Sequence, residues 1–296
     1  MNEFIEKIVN RFPLQKNILD IYLNIDEGEK QSFLYLLKCV KEVYNMNEDE
    51  IIDCYGMLVN DTLEESKYFY AHGRYRYSTF KEVDEYMKSK KTHYMRAYQI
   101  GLLITLFLWP NHTEMRKHFV NTFKGRKGKK YLEVGVGHGY YFSEAVDNSN
   151  YEFYFGIDIN EDSLNMTSSI LRNKPDCQTK CIKLELLDFF KLDSNEIYDA
   201  IVSGEILEHV EEPWKFLRKF AGLANENTLI YVTTAINAPA IDHISLFRNP
   251  DDLHNLFKDN GLRIVDMQFF LYQNKPLEAC IRKKLPVTVA IIAKKA

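Results

Sequence analysis

The 296-residue chain is poor in cysteine: it has five, and no two of them make a CxxC pair. So sparse and odd a set is no disulfide framework and fits a reducing compartment. Positive charge is not in excess either, since 38 basic side chains face 42 acidic ones for a net charge of −4. That balance exerts no overall pull on phosphate backbones or anionic lipid and argues against nucleic acid as a partner. Long apolar runs are missing. The longest, Ile100 to Trp109, is ten residues, against the ~20 that span a bilayer, and it predicts a buried helix with no membrane partner. The first residues, MNEFIEKIVNRF, mix both signs of charge and contain no signal-peptide core, so the expected location is cytoplasmic.

What is present is an ordinary globular composition, 46% hydrophobic and 27% charged, in a chain long enough for two domains. Its texture changes near residue 125, where Lys124-Gly-Arg-Lys-Gly-Lys-Lys130 reads as a short basic linker. Residues 1–125 read as an all-helical cap, because apolar side chains recur every three or four positions at Phe33, Leu36, Leu37, Val40 and Tyr44, and again at Tyr94, Tyr98 and Leu102. Asn47 with Glu50, and Asn111 with Glu114, carry the spacing of helix starts.

Residues 126–296 alternate strand with helix. Short β-branched or aromatic runs stand at Tyr131–Val136, Phe153–Ile159, Lys180–Leu186, Tyr198–Ser203, Thr228–Thr233, Leu262–Phe270 and Val287–Ile292. This rhythm predicts an α/β fold with an open, Rossmann-like, mainly parallel sheet covered by helices on both faces. A ligand of such a sheet sits at the carboxyl ends of the strands.

The chemistry begins at Glu133-Val-Gly135-Val-Gly137-His-Gly139, directly after the first of these strands. Glycines there permit a tight turn and close approach of a ligand to the backbone, and the helix that follows offers free N–H groups. The spacing departs from the dinucleotide fingerprint GxGxxG, and an acid beside the loop would repel a pyrophosphate while suiting a cation or an amino group. The next strand ends in Asp158, 25 residues after Glu133, where a carboxylate can accept from both hydroxyls of a ribose. Asp188 and Phe189 follow the third strand, and Glu205 opens the segment Gly204-Glu-Ile-Leu-Glu-His-Val210 after the fourth.

This ordered set resembles the class I S-adenosylmethionine-dependent methyltransferases, in particular small-molecule enzymes with an ExGxGxG loop and an LEHV-like segment. The resemblance covers roughly residues 128–296 and implies a seven-stranded sheet whose last two strands are antiparallel. It also implies S-adenosylmethionine as cofactor, with Gly135, Gly137 and Gly139 facing its methionine part and Glu133 near its amino end. Asp158 would then bind the ribose, Asp188 and Phe189 would flank the adenine, and Glu205 would lie beside the substrate entrance.

Acceptor residues are sought in the loop after the fifth strand, where Asp242 and His243 could orient a substrate and an imidazole of ordinary pKa could act as base. His112, just before the last helix of the cap, is a further catalytic candidate. His138 lies in the glycine loop, where it either approaches the methyl-transfer site or is an exposed residue starting the next helix, and Glu208 and His209 begin the helix after the fourth strand, either as further candidates or as its solvated first turn. Arg74, Arg76 and Arg248 are the cations an acidic acceptor would meet. His112, His243 and His254 form no compact ligand motif, so no metal is expected. The chain therefore reads as a methyltransferase acting on an oxygen, nitrogen or activated carbon of a small molecule, expected in specialised metabolism, with a peptide or protein methyltransferase or a non-catalytic cofactor-binding scaffold as the alternatives and the aromatic-rich cap available for a homodimer contact.

Overall fold

In a computed structural model, residues 2–15, 17–90, 93–172, 174, 177, 179–271 and 275–296 are described. Helices α1 (Asn2–Arg11), α2 (Asn17–Asn24), α3 (Glu27–Tyr44), α4 (Glu48–His72), α5 (Phe80–Ser89), α6 (Tyr94–Leu108) and α7 (Pro110–Phe123) come first. Their starts follow side-chain chemistry. Asp26 with Glu29, Asn47 with Glu50 and Thr79 with Glu82 each close a reciprocal pair of hydrogen bonds that satisfies otherwise free N–H groups. Asn111 does not cap in this way. Pro110 occupies the first turn and starts α7 from Trp109, so the Asn111 amide is free to donate across to Thr288 Oγ1 at 3.0 Å.

The strands are β1 (Lys127–Val134), β2 (Asn150–Asp158), β3 (Cys181–Leu186), β4 (Ala200–Gly204), β5 (Leu229–Ile236), β6 (Leu262–Leu271) and β7 (Val287–Lys295). They form one seven-stranded sheet in the order β3-β2-β1-β4-β5-β7-β6, parallel except for β7, which runs antiparallel to both β5 and β6. Between them lie α8 (Tyr140–Asn148), α9 (Glu161–Arg172), α10 (Pro213–Gly222), α11 (Pro250–Lys258) and α12 (Leu277–Arg282). The basic stretch proves to be structure rather than linker from Lys127 onward. Its residues pair with β2 from Lys127↔Asn150, and Lys130 forms an ion pair with Glu196.

Each sheet face has its own core. One is filled by Leu132, Ile157, Leu217, Phe220, Ile230 and Leu253, the other by Phe119, Phe123, Tyr131, Phe142 and Tyr231. Phe119 and Phe123 belong to α7, so this helix packs on the sheet while α3, α4 and α6 form a separate apolar cluster. That cluster reaches the sheet domain through Tyr140 of α8 and Met166 and Ile170 of α9. Arg116 of α7 strengthens the same seam: its buried guanidinium is paired with Glu29 and donates to the Tyr140 hydroxyl at 3.3 Å. Among the described residues no helix is long and apolar enough to cross a membrane.

Candidate active site

Strand β1 stops at Val134 because the next residues turn sharply, with Gly135, Gly137 and Gly139 all at positive φ. Two of these positions differ in what surrounds them. A Cβ on Gly139 would lie 2.7 Å from the Thr167 backbone, so this glycine lets α8 approach α9, whereas a Cβ on Gly137 would meet nothing within 4 Å. Gly137 thus presents bare backbone to open space at the carboxyl end of the sheet. Its N–H donates to Asp158 Oδ2 at 3.0 Å, and Asn160 N–H donates to Oδ1 at 2.8 Å. Burial raises the Asp158 pKa, and these backbone donors oppose the rise.

Glu133 lies beneath the loop, buried, with the Tyr131 hydroxyl donating to its Oε2 at 2.5 Å. Burial pushes its carboxyl up to about 8. Beyond β3, Asp188 is exposed and caps a short turn by accepting from Phe190 N–H at 3.0 Å. The turn sends Phe189 inward, stacked on Phe216 and packed on Phe220, and leaves Phe190 as the ring that is 46% exposed. Phe189 therefore belongs to the core, and the accessible aromatic beside Asp188 is its neighbour. Ile159, 68% exposed, and Leu186 add apolar surface at the same strand ends, a signal that sequence reasoning missed.

On the other half of the sheet, Glu205 leaves β4 with φ at +51°, an uncommon conformation for a side chain other than glycine. Its N–H donates to the Thr233 carbonyl at 3.0 Å. The helix expected here starts only at α10, where Pro213 fills the first turn, so Glu208 and His209 stand in a short 3-10 turn before it. Glu208 is not solvated but fully buried, its Oε2 accepting from the Thr234 hydroxyl at 2.7 Å. The Glu205 and Glu208 carboxyls adjoin, and burial followed by their mutual repulsion holds Glu208 protonated well above the carboxylate range.

Asp242 and His243 are both buried, yet they are not partners of each other. His243 Nδ1 donates to the Ala238 carbonyl at 2.6 Å, while His209 Nδ1 lies 3.1 Å from the Asp242 carbonyl and 3.4 Å from its Oδ2. Burial, reinforced by His209, lowers the His243 pKa to about 4, so the ring is neutral and a weaker base than an ordinary histidine. His112 is held elsewhere, against Thr105 Oγ1 at 2.7 Å and the Trp109 ring, with the glycine-loop residue His138 nearby. Burial takes His112 and His138 each to about 4. His254 sits on α11, its Nδ1 bonded to the Pro250 carbonyl.

The N-terminal helices close over these loops. Tyr98 of α6 donates to Asp242 at 3.3 Å, Tyr75 packs edge-on to His243, and Phe80 N–H donates to Glu211. Of the three candidate arginines, Arg76 is committed to Glu65, Arg74 donates to the Tyr75 carbonyl, and Arg248 donates to the Gly73 carbonyl.

Residues 111–267, just over half of the chain, match the family profile described as a methyltransferase domain. The chain belongs to this family. Among curated relatives, the ubiquinone biosynthesis O-methyltransferase of Neisseria meningitidis serogroup C is 27% identical over 127 residues, which are 42% of this chain and 52% of that protein. The mitochondrial enzyme of the same name from Dictyostelium discoideum is 22% identical over 172 residues, 49% of this chain and 53% of its own. The chain thus spans about half the length of these relatives. Two solved structures share the fold of the methyltransferase domain. The [4+2]-cyclase SpnF has a TM-score of 0.50 at 12% identity, covering 62% of this chain and 80% of its own. The mycolic acid cyclopropane synthase CmaA1, solved with S-adenosylhomocysteine, has a TM-score of 0.50 at 13% identity, covering 62% and 84%.

S-adenosylmethionine is the cofactor of the family, and the residues of the methyltransferase domain fit it. The uncovered backbone at Gly137, the anchored Asp158 carboxylate and the exposed Ile159, Phe190 and Asp188 supply room for close approach, a ribose acceptor and apolar surface for a planar base.

Proposed function

We propose that the protein transfers a methyl group from S-adenosylmethionine to an oxygen atom of a small molecule held between the N-terminal helices and the loops 205–212 and 237–248. The observation that carries this reading is the set of buried Glu208, Asp242 and His243 with half-buried Glu205 and His209 at the carboxyl ends of β4 and β5, roofed by Tyr75 and Tyr98. With both Nδ1 atoms engaged by carbonyls, the remaining ring nitrogens of His209 and His243 are acceptors, which suits an incoming hydroxyl.

The bound cofactor supplies an electrophilic methyl on a sulfonium centre. What remains for the chain is to orient the nucleophile, exclude water and receive a proton. The paired carboxyls of Glu205 and Glu208 and the neutral His243 ring, under an aromatic roof, are the groups available for these needs. The O-methyltransferase names of the relatives support oxygen as the receiving atom, and their ubiquinone pathway lends no support to specialised metabolism.

The test is incubation with methyl-labelled S-adenosylmethionine and separate panels of hydroxylated aromatics, amines and peptides. Label should appear in a hydroxylated small molecule. Label confined to peptides, or to amines, would overturn the acceptor assignment.

A further inference from the structure

Glu208, His209 and His243 come from two loops 35 residues apart in the chain, yet each brings one ligand atom within 4.8 Å of the others. The two rings meet edge to face with centroids 4.8 Å apart. A backbone carbonyl can only accept, so the contacts of His209 with Asp242 O and of His243 with Ala238 O place the proton on Nδ1 in both rings. The remaining lone pair of each ring is then on Nε2. Glu208, 0% exposed, uses Oε2 to accept from Thr234, and its Oε1 has no hydrogen-bond partner. The adjoining Glu205 likewise buries an Oε1 without one. The cluster therefore gathers two ring nitrogens and two adjoining carboxyls whose remaining oxygens meet no donor from the surrounding chain, an arrangement that suits a cation, whose binding would displace the proton between the carboxyls.

We propose that Glu208, His209 and His243 bind a divalent first-row transition cation such as Zn²⁺ or Co²⁺. Two imidazoles and a carboxylate favour such a metal over Mg²⁺ or Ca²⁺, which prefer oxygen ligands alone. Ligand atoms at ~2.1 Å from a cation stand a little over 3 Å apart, a spacing these side chains reach by drawing together. The orienting partners are already in place: the Ala238 and Asp242 carbonyls fix the tautomers, and the Thr234 hydroxyl holds the carboxylate. Three protein ligands leave coordination positions open. On the methyl-transfer reading, on which this consequence alone rests, an oxygen of the acceptor takes one of them.

The experiment is titration of the metal-stripped full-length protein with Co²⁺, followed by visible absorption. One tightly held Co²⁺ per chain is expected, with the absorption lost in Glu208→Gln and in His243→Ala, while both variants bind S-adenosylhomocysteine with wild-type affinity and so report an intact fold. Should either variant lose that affinity, His209→Asn takes its place under the same criterion. Absence of Co²⁺ binding to the wild type, or equal binding by the variants, overturns the site. Full methyl transfer by the metal-stripped protein overturns the role of the cation in holding the acceptor and leaves the methyltransferase reading standing. Co²⁺ binding without any binding of S-adenosylhomocysteine sustains the metal site and overturns that reading instead.

Discussion

Between β1 and β2 the site is made largely of backbone: a loop of glycines at positive φ, one N–H of which is tied to Asp158 at the next strand end. Between β4 and β5 it is made of side chains, carboxyls and imidazoles from two loops that hold each other through carbonyls and hydroxyls. The first arrangement depends on conformation and tolerates few residues other than glycine. The second depends on convergence, and each of its members can be exchanged at some cost to chemistry while the fold survives. This difference means that variants of the first half should damage stability and cofactor affinity, and variants of the second should damage turnover.

The sharpest break is expected from Gly139→Ala. A left-handed backbone costs about 1–3 kcal/mol for a residue with a Cβ, and overpacking against the Thr167 backbone adds a similar amount. Urea unfolding should show a loss of about 2–5 kcal/mol. Gly137→Ala carries the strain without the clash, so its loss should be clearly smaller. Equal losses at the two positions would mean that the α8–α9 approach is not what Gly139 serves.

Glu133 gives the comparison a pH axis. Its carboxyl sits at about 8 in the fold against an ordinary 4.5. A group raised in the folded state favours folding below its unfolded value, and that contribution is lost as pH rises from about 4.5 to about 8. Glu133→Gln should therefore flatten the stability profile over this window by about 2–4 kcal/mol relative to wild type. Parallel profiles for the two proteins would contradict a buried, protonated Glu133.

Asp158→Ala should weaken S-adenosylhomocysteine binding about 10–100-fold in calorimetry, the loss expected for hydrogen bonds to a charged group. His243→Ala should leave that affinity unchanged. If both variants bound equally weakly, the division into a cofactor half and an acceptor half would fail.

The same division decides what could be read from the sequence. The strands, the glycine loop and Asp158 are local signals: β-branched runs, a spacing of glycines, an acid at a strand end. Glu208 and His209 stand in an equally recognisable segment, but whether they face water depends on where the following helix begins. Pro213 marks that start, and with it the eight residues from Glu205 to Glu212 become a loop over the sheet end. The pairing of His209 with Asp242 rather than of Asp242 with His243 had no sequence signal, because it depends on how two distant loops meet. The inward turn of Phe189 is of the same kind: adjacent phenylalanines in a short turn point opposite ways, and the core chooses between them.

The smallest expected effect concerns the seam on the cofactor side. Arg96 of α6 reaches Asp162 with two hydrogen bonds, at 2.8 and 3.2 Å, and lies over the Tyr44 ring at 4.5 Å. Both side chains are about a quarter exposed, so the pair contributes no more than about 1 kcal/mol. Arg96→Lys keeps the charge and loses the planar fork and the stacking, and should lower stability by about 0.5 kcal/mol. Its more informative consequence is for binding. Asp162 opens α9 just after Asp158, so a loosened seam acts on the segment that carries the ribose acceptor while leaving the loops around His243 untouched. A modest fall in S-adenosylhomocysteine affinity with unchanged Co²⁺ binding would locate the coupling between helices and sheet at α9. An equal fall in both would show that the N-terminal helices brace the two halves of the site as one body.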